Sequence, residues 1–366
     1  MSRITFRTRA GRRAVASGVG LVATVGLLAG CAGTPAPADG TPGTDDPVTI
    51  TYVGYGGAGQ DAQIQAWQVP YTQAHPNITF VNTSPPDVAQ VKAQVEAGAV
   101  LWDVLATAPY AAEQNCGTLF EPLDIELTVS EDDLVPGAVG KCYTANWINA
   151  TPMAYRTDAF PNGGPKTVED FFDTDKFPGQ RGFVTNLQNG ILEYASIAAG
   201  ADPENLYPLD VDKALDQLEK IRSVTTFAPN VGALQQAVAA DQVDMFFLPD
   251  SRLVPQLAEG DDLTIVWDVT VASINAFAVP KGSTKKAAVE KFLASVMEPG
   301  PVAKISEMLG VAPINKAAKL ELNEFASKVE VYNPKVNPGI TVLQDIPWYT
   351  ENFNDASTKL TNWLAG

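Results

Sequence analysis

The chain is predicted to have an α/β fold with two lobes, each a mostly parallel sheet flanked by helices, and a ligand cleft at the hinge between them. From residue 48 short apolar strands alternate with helical patterns in a βαβαβ order, which favours a parallel sheet covered by helices. A second α/β region begins near residue 151. The length of 366 residues fits two lobes of ordinary size.

The first 30 residues have the pattern of an export signal. Five arginines precede an apolar stretch at 14–29, and small residues follow it. A membrane-spanning anchor is the alternative, but the stretch is short for a bilayer and lacks a second charged flank. Its end, Leu28-Ala29-Gly30-Cys31, resembles a bacterial lipobox. That resemblance implies a lipid on Cys31 and an extracytoplasmic protein anchored to the cell membrane, at the cell surface or in the periplasm.

Residues 31–47 are predicted to be a disordered tether, because Ala, Gly, Thr, Pro and Asp dominate without hydrophobic periodicity. Loss of residues 1–30 removes five arginines and takes the net charge from −17 to −22. An acidic surface disfavours nucleic acid and anionic lipid as partners. The mature protein is predicted to be a monomer.

Cys116 and Cys142 are the two cysteines that follow Cys31 in the chain. In an exported protein an isolated pair is interpreted as a structural disulfide. A redox or metal pair is the alternative, and it lacks a CxxC spacing and histidine partners.

The predicted elements follow one another in α/β order along the chain. Strands are predicted at 48–53, 77–81, 101–106, 151–155, 243–248, 263–269 and 274–279. Helices are predicted at 61–75 (disturbed at Pro70), 88–97, 211–224, 231–240, 285–297, 301–309, 317–327 and 346–364. Residues 48–150 plus 276–315 would form the first lobe, and residues 151–275 plus 316–366 the second.

The segment Gly54–Gly59 satisfies GxGxxG between a strand and a helix, as a dinucleotide-binding turn does. Such a site also needs a carboxylate at the end of the second strand, and no acid occurs there before Asp87. An exported oxidoreductase that uses this loop for a dinucleotide is the alternative function. The favoured interpretation is a turn whose backbone amides donate to a ligand oxygen.

Motifs for catalysis are sparse. His75 is the one histidine, and no GxSxG supports a Ser-His-Asp hydrolase. Residues 137–141 lack the Walker spacing, and no histidine pair or free cysteine cluster suits zinc. A two-carboxylate glycosidase stays open, because nothing singles out one pair among 42 acids. These patterns favour a binding protein without enzymatic activity, cofactor or metal, whose ligand is a small molecule between the lobes.

Several segments carry a resemblance to a known family. They are Tyr55–Gln63, Leu119–Asp124, Gly164–Phe172, Phe177–Gly182, Ile265–Asp268, Val279–Ser283 and Asn362–Gly366. In this order they resemble the extracellular solute-binding proteins of ABC transporters, in the spermidine/putrescine-binding group, over about residues 48–366. The resemblance implies a type II periplasmic-binding-protein fold and delivery of a small solute to ABC permease subunits.

The chain departs from that group at the residues that enclose the ligand. Gly59, Pro249 and Ser273 stand where the group has aromatic residues, and Asn275 stands where it has an acid. Such aromatic residues hold an alkyl amine by cation–π contact, and the acid pairs with an ammonium. The resemblance therefore implies a small polar nitrogenous solute, polyamine-like or zwitterionic, with a zwitterion favoured over a free polyamine.

Candidate ligand-binding residues follow from their positions at loops and strand ends. They are Tyr55, Gly57, Gln60, Tyr110, Asn149, Thr151, Gln188, Glu193, Asp250, Arg252, Ser273 and Asn275. Glu193 and Asp250 are expected to hold an amine, and Arg252 with the first-loop amides a carboxylate or hydroxyls. Ordinary loop or hinge hydrogen bonding is the alternative role for each residue. Trp267 and Trp348 are expected in the core.

Overall fold

The structure is a computed structural model that describes residues 46–333 and 335–366. The predicted signal, Cys31 and nearly all of the tether lie outside the described residues.

The strands are β1 Val48–Val53, β2 Ile78–Thr83, β3 Val104–Thr107, β4 Thr144–Arg156, β5 Arg181–Val184, β6 Thr225–Ala228, β7 Met245–Phe247, β8 Leu263–Ala278 and β9 Ile340–Leu343. The α-helices are α1 Gly57–Gln63, α2 Val69–Ala74, α3 Val88–Glu96, α4 Pro109–Gln114, α5 Val168–Phe172, α6 Ile191–Ala198, α7 Val211–Glu219, α8 Val231–Ala239, α9 Asp250–Glu259, α10 Lys286–Val296, α11 Pro299–Leu309 and α12 Ile346–Ala365. A short 3-10 helix at Leu187–Asn189 precedes α6.

The described strands join in one sheet in the order β2-β1-β3-β8-β4-β7-β5-β6, with β9 beside β8. Pairing is parallel in β2-β1-β3 at one end and in β7-β5-β6 at the other. In the middle the long strands β4 and β8 pair antiparallel, and they connect the two parallel groups. The predicted parallel sheets are therefore joined by an antiparallel centre.

Apolar side chains on both faces of each parallel group pack against helices. On β1 and β3, Ile50 and Val104 are fully buried and cluster with Phe292 of α10. At the other end of the sheet, Phe183 and Phe247 stack at 4.9 Å between ring centroids. Burial of each such side chain contributes about 1.5–3 kcal/mol. The two pairs of residues belong to different apolar clusters, so each parallel group has its own core.

Two of the predicted elements differ from the structure. Residues 263–269 and 274–279 belong to the single strand β8, because the intervening residues 270–273 are buried and continue the pairing with β4. The predicted helix at 317–327 is wrong, since only a 3-10 turn, Ala326–Lys328, forms there. Ala326 is the one buried residue of that segment, and a helix without a packed face gains little from its propensity.

The first predicted helix is correct in place but irregular. A π-helical turn, Ile64–Gln68, lies between α1 and α2 and ends two residues before Pro70. Proline has no N–H to donate to the preceding turn, which favours a local change of hydrogen-bond spacing at that point.

Candidate ligand-binding site

A cavity of about 450 Å³ lies at the carboxyl ends of the parallel strands. Tyr55 follows β1, Pro85 follows β2, and Asn186, Asn230 and Pro249 follow β5, β6 and β7. Ligands of open α/β sheets bind outside the carboxyl ends of the strands. The volume falls within the range of small-molecule sites, about 300–1,000 Å³.

Six of the predicted residues line this cavity. They are Tyr55, Gln60, Asn149, Gln188, Arg252 and Asn275. The other six do not line it, and the structure gives them contacts of other kinds. They are Gly57, Tyr110, Thr151, Glu193, Asp250 and Ser273.

Glu193 is fully buried, and neighbours rather than the cavity hold its Oε1, whereas its Oε2 has no hydrogen-bond partner among the described residues. Its Oε1 accepts from the hydroxyls of Tyr207 and Tyr349, both at 2.7 Å, and from Gln344 Nε2 at 2.8 Å. Burial raises the pKa of this carboxyl above its ordinary value. The expected role of Glu193 in holding a ligand amine has no support from this geometry.

Asp250 is likewise fully buried, at the first turn of α9. Its carboxylate accepts from Ala150 N at 2.9 Å and from Ser251 N at 2.6 Å. Burial raises the pKa of Asp250 well above its ordinary value. The side chain therefore ties α9 to β4 and does not face the ligand cavity.

The four remaining residues outside the cavity have backbone or packing roles. The ring of Tyr110 stacks on Tyr349 at 5.1 Å between centroids. The carbonyl of Thr151 accepts from the hydroxyl of Tyr194, Ser273 is buried on β8, and Gly57 begins α1. Trp267 and Trp348 were expected in the core, and both pack against apolar clusters.

The glycine loop after β1 is held by the protein's own groups. Gly54 N donates to Thr83 O at 3.1 Å, and Gly56 N donates to Gln60 Oε1 at 2.9 Å. Gln60 Nε2 donates to Thr83 O at 3.1 Å, so its amide is occupied at both ends. A Cβ at position 54 would lie 2.8 Å from the Gln60 side chain, which explains the glycine there. These two loop amides are not free for a pyrophosphate or for any other ligand oxygen, which argues against the dinucleotide interpretation and, at these two positions, against the predicted amide contact with a ligand.

Arg252 is the cation of the cavity wall, and its guanidinium has no hydrogen-bond or ion-pair partner among residues 46–333 and 335–366. Burial lowers the pKa of Arg252, and no neighbouring carboxylate raises it. Within the same described ranges, no Asp or Glu lines the cavity. The cavity wall can therefore bind an anionic group of a ligand.

The rest of the lining is mostly carboxamide and apolar. Trp147 lies opposite Asn275 in the β4–β8 register, beside a bulge between Ala145 and Trp147. Its indole packs against Trp67 at 5.8 Å between ring centroids, so the ring has a fixed position in the wall. An aromatic face of this kind suits an alkyl chain or an ammonium.

Sequence reasoning missed several lining residues. They are Gln63, Trp147, Asn186, Asn189, Asn230 and Ser251. Asn186 and Asn230 follow the strands β5 and β6 and cap helices, a signal that could have identified them. Nothing local to Trp147 marks it, because the bulge and its pairing across to β8 place it in the wall.

Within 46–333 and 335–366 no helix combines the length and apolar character needed to cross a bilayer. Over the same ranges no group of three or more His, Cys, Asp or Glu side chains could hold a metal ion. The predicted pair Cys116 and Cys142 is disulfide-bonded, as expected.

Comparison with known proteins agrees with this architecture. Residues 66–333 match the family of bacterial extracellular solute-binding proteins. The gamma-aminobutyric acid-binding protein of Pseudomonas aeruginosa is 30% identical over 323 residues, which cover 87% of this chain and 91% of that protein.

Two solved structures resemble most of the chain. The Atu4243–GABA receptor has a TM-score of 0.77 with 26% identity, covering 86% of this chain and 97% of its own. An ABC transporter substrate-binding protein from Bradyrhizobium japonicum has a TM-score of 0.78 with 26% identity, covering 86% and 99%. The predicted type II fold and the role of solute binding in ABC transport are confirmed. This chain belongs to the family of bacterial extracellular solute-binding proteins.

Proposed function

We propose that this protein captures a small amino-acid-like solute through its carboxylate and delivers it, without turnover, to the permease subunits of an ABC importer. The proposal rests on the position of Arg252 in the cavity wall. A half-buried guanidinium with no acidic partner leaves its planar donors available for a ligand carboxylate, which they bind in bidentate fashion.

The composition of the wall argues against a polyamine. A polyamine carries only cationic nitrogens, and the described wall offers Arg252 and no carboxylate to receive them. Placing an ammonium near an unpaired guanidinium costs free energy that no partner in the wall offsets. A zwitterion avoids this cost, because its carboxylate meets Arg252 and its single amine meets Trp147 or a carboxamide oxygen.

The relatives support the same ligand class. The Pseudomonas aeruginosa relative is a gamma-aminobutyric acid-binding protein, and that solute combines one carboxylate with one amine. We extend this chemistry to the present chain as a proposal, with Tyr55, Asn149, Gln188 and Asn275 as the polar and aromatic contacts. Gln60 holds the first loop in shape.

The N-terminal segment completes the proposed role. The basic leader and Leu28-Ala29-Gly30-Cys31 support export and a lipid anchor on Cys31. We propose that residues 31–47 tether one monomer to the outer face of the cell membrane, where it meets its permease. The boundaries of the two lobes stay a prediction.

A matched pair of ligands tests the proposal. Gamma-aminobutyric acid and putrescine carry an amine on chains of the same length, but the first ends in a carboxylate and the second in another amine. Isothermal titration calorimetry should detect the acid and not the diamine. Arg252→Met should weaken binding of the acid by about tenfold to a hundredfold, from the loss of about 1.5–3 kcal/mol.

Arg156→Met is the control, because Arg156 pairs with Asp158 and Asp241 at the surface and does not line the cavity. It removes the same charge and should leave binding unchanged. Putrescine binding as tight as that of the acid, or normal binding by Arg252→Met, would contradict the proposal.

A further inference from the structure

The pairing of β4 with β8 breaks between the two parallel groups of the sheet. Thr151 pairs with Val271, and the ladder resumes where Met153 pairs with Val266. Pro152 is the single residue of β4 in this gap, whereas β8 has the four residues between Val266 and Val271. Proline has no N–H to donate to a ladder and occurs in sheets at edges and bulges, which agrees with its place here.

The break lies where the two long strands pass from one parallel group to the other. On one side β3 pairs with β8 at residues 276–278, and on the other side β7 pairs with β4 at residues 153–155. Within the gap β8 pairs with β9, at residues 269–272, instead of with β4. Two-lobed binding proteins close around a ligand by bending at a few hinge residues. This gap is a place where β4 and β8 hold each other weakly and can act as such a hinge.

The hydroxyl of Tyr194 bridges the two strands at the edge of the break. It donates to Thr151 O and accepts from Val271 N at 2.7 Å. Because Thr151 and Val271 are the last pair before the gap, one oxygen atom contacts the backbone of both crossing strands. A hydroxyl has one hydrogen to donate, so it satisfies both groups only while the two strands keep this spacing.

Packing within the second parallel group fixes the position of this hydroxyl. Tyr194 lies on α6, is fully buried, and stacks on Phe247 of β7 with 3.8 Å between ring centroids. A Cβ at position 190 would lie 2.9 Å from the side chain of Val271 and 3.0 Å from the ring of Tyr194. Gly190, with a φ of 77°, therefore allows α6 to approach β8 closely. The phenol is held by α6 and β7 and reaches the strands from there.

The arrangement that this hydroxyl holds brings both parallel groups to one cavity. Tyr55 follows β1 in the first group, and Asn230 and Arg252 follow β6 and β7 in the second. All three line the cavity, so a ligand there can contact both groups at once. When only a fraction of molecules has the arrangement that binds, the apparent affinity falls in proportion to that fraction.

We infer that Tyr194 is a positioning residue for solute capture, whose hydroxyl clamps β4 and β8 at the break and sets the angle between the two parallel groups. Without the hydroxyl the strands lose this shared contact, and the hinge samples a wider range of angles. Tyr194 does not line the cavity, so it acts on a ligand only through the hinge. The inference rests on capture of a solute between two lobes and is independent of the class of that solute.

Tyr194→Phe removes the hydroxyl and keeps the ring that stacks on Phe247. Its effect on the hinge is measured by electron–electron double resonance between spin labels at Lys92→Cys on α3 and Lys213→Cys on α7. Both positions are exposed, and the two helices pack on different parallel groups. The full chain carries Cys31→Ser, so that the labels attach at the introduced thiols. In the absence of ligand, Tyr194→Phe should broaden the distance distribution relative to the wild type.

Tyr143→Phe is the matched control. Tyr143 is also buried, and its hydroxyl donates to Gly137 O at 2.9 Å, but it neither bridges β4 and β8 nor lines the cavity. Both variants should lose similar stability in urea, because each loses the hydroxyl of a buried tyrosine. The Tyr143→Phe distribution should match that of the wild type. Calorimetry with gamma-aminobutyric acid should show binding weakened about threefold to tenfold by Tyr194→Phe and unchanged by Tyr143→Phe.

The outcomes separate this inference from the proposed function. A Tyr194→Phe distribution equal to that of the wild type would overturn the inference, and so would equal broadening by Tyr143→Phe. Unchanged affinity in a Tyr194→Phe variant with a broadened distribution would overturn the positioning role. A wild type that does not bind gamma-aminobutyric acid would count against the proposed function alone, because the distance measurement needs no ligand.

Discussion

Gln344 Nε2 donates to Leu187 O across 2.8 Å and joins the segment before α12 to the 3-10 turn Leu187–Asn189. Both residues are buried, and the same NH₂ group donates to Glu193 Oε1 at 2.8 Å. Gln188 and Asn189 of this turn line the cavity. The position of the cavity wall therefore depends on a residue 157 positions away in the chain.

Gln344→Ala should weaken both stability and ligand binding. The change removes the side-chain donor to the Leu187 carbonyl, which keeps Gly190 N at 3.1 Å, and one of the donors to Glu193 Oε1, and it frees the turn that carries Gln188 and Asn189. We expect a loss of about 1–3 kcal/mol in the free energy of unfolding, measured by urea denaturation, and weaker ligand binding by calorimetry. Gln217→Ala, a buried glutamine on α7 outside the cavity, is the control that should leave affinity unchanged. Unaltered affinity in Gln344→Ala would show that the contact does not position the wall.

Glu193 should make the protein less stable as pH rises above the ordinary pKa of 4.5. Burial raises the pKa of Glu193 in the folded state, whereas Tyr207, Tyr349 and Gln344 lower it only in part. Above pH 4.5 the unfolded chain releases this proton and the folded chain retains it, so unfolding becomes more favourable up to the folded pKa. Below 4.5 both states keep the proton, and the contribution vanishes.

Glu193→Gln removes the titrating group and should flatten this part of the pH profile. Urea denaturation of both proteins between about pH 4 and about pH 8 measures the difference in slope. Burial also raises the pKa values of Asp250, Asp268 and Glu330, and these groups contribute in both proteins. The comparison therefore isolates Glu193, and parallel profiles would show that it does not titrate in this range.

The disulfide between Cys116 and Cys142 should stabilise the fold without affecting the ligand. It closes a loop of 26 residues, which in the chain-entropy account is worth about 3–4 kcal/mol. The double variant Cys116→Ala with Cys142→Ala should lose about that much stability in denaturation and keep its affinity, because neither cysteine lines the cavity. A comparable loss of affinity in the folded variant would place the disulfide in the support of the site.

Cys31 should decide where the protein resides in the cell. Replacement by serine removes the thiol to which a lipid would be attached, so Cys31→Ser should leave the membrane fraction while the wild type remains in it. Fractionation with detection of the attached lipid by mass spectrometry checks both points. Wild-type protein without lipid would refute the lipobox interpretation.

Alternation of strands and helices was enough to predict the α/β class, because the hydrophobic period changes from 2 to 3.6 at nearly every boundary. The opening βαβαβ succession was also accessible, since β1 and α3 lie where their patterns predict them and β3 overlaps its predicted range. The disulfide followed from the context of export and the count of cysteines. The predicted helix at 317–327 failed because local propensity says nothing about whether a face will be packed.

Candidate ligand-binding residues near strand ends could be identified from the sequence, but the role of each could not be predicted. Glu193 and Asp250 were predicted to bind the ligand together with Gln188 and Arg252, yet both acids are buried and accept hydrogen bonds from the protein itself. Only the tertiary structure decides which way a side chain at a strand end is turned, since that depends on neighbours distant in the chain such as Gln344.

The sequence by itself determined the α/β pattern, the cysteine pair and the family, and the export leader stays a prediction. The tertiary structure alone decided the character of the cavity. Trp147 and Asn275 meet through the register of β4 and β8, and no Asp or Glu of the described residues lines the cavity beside Arg252. The physical reason is that charge pairing and amide orientation depend on three-dimensional distance, which a linear pattern does not contain.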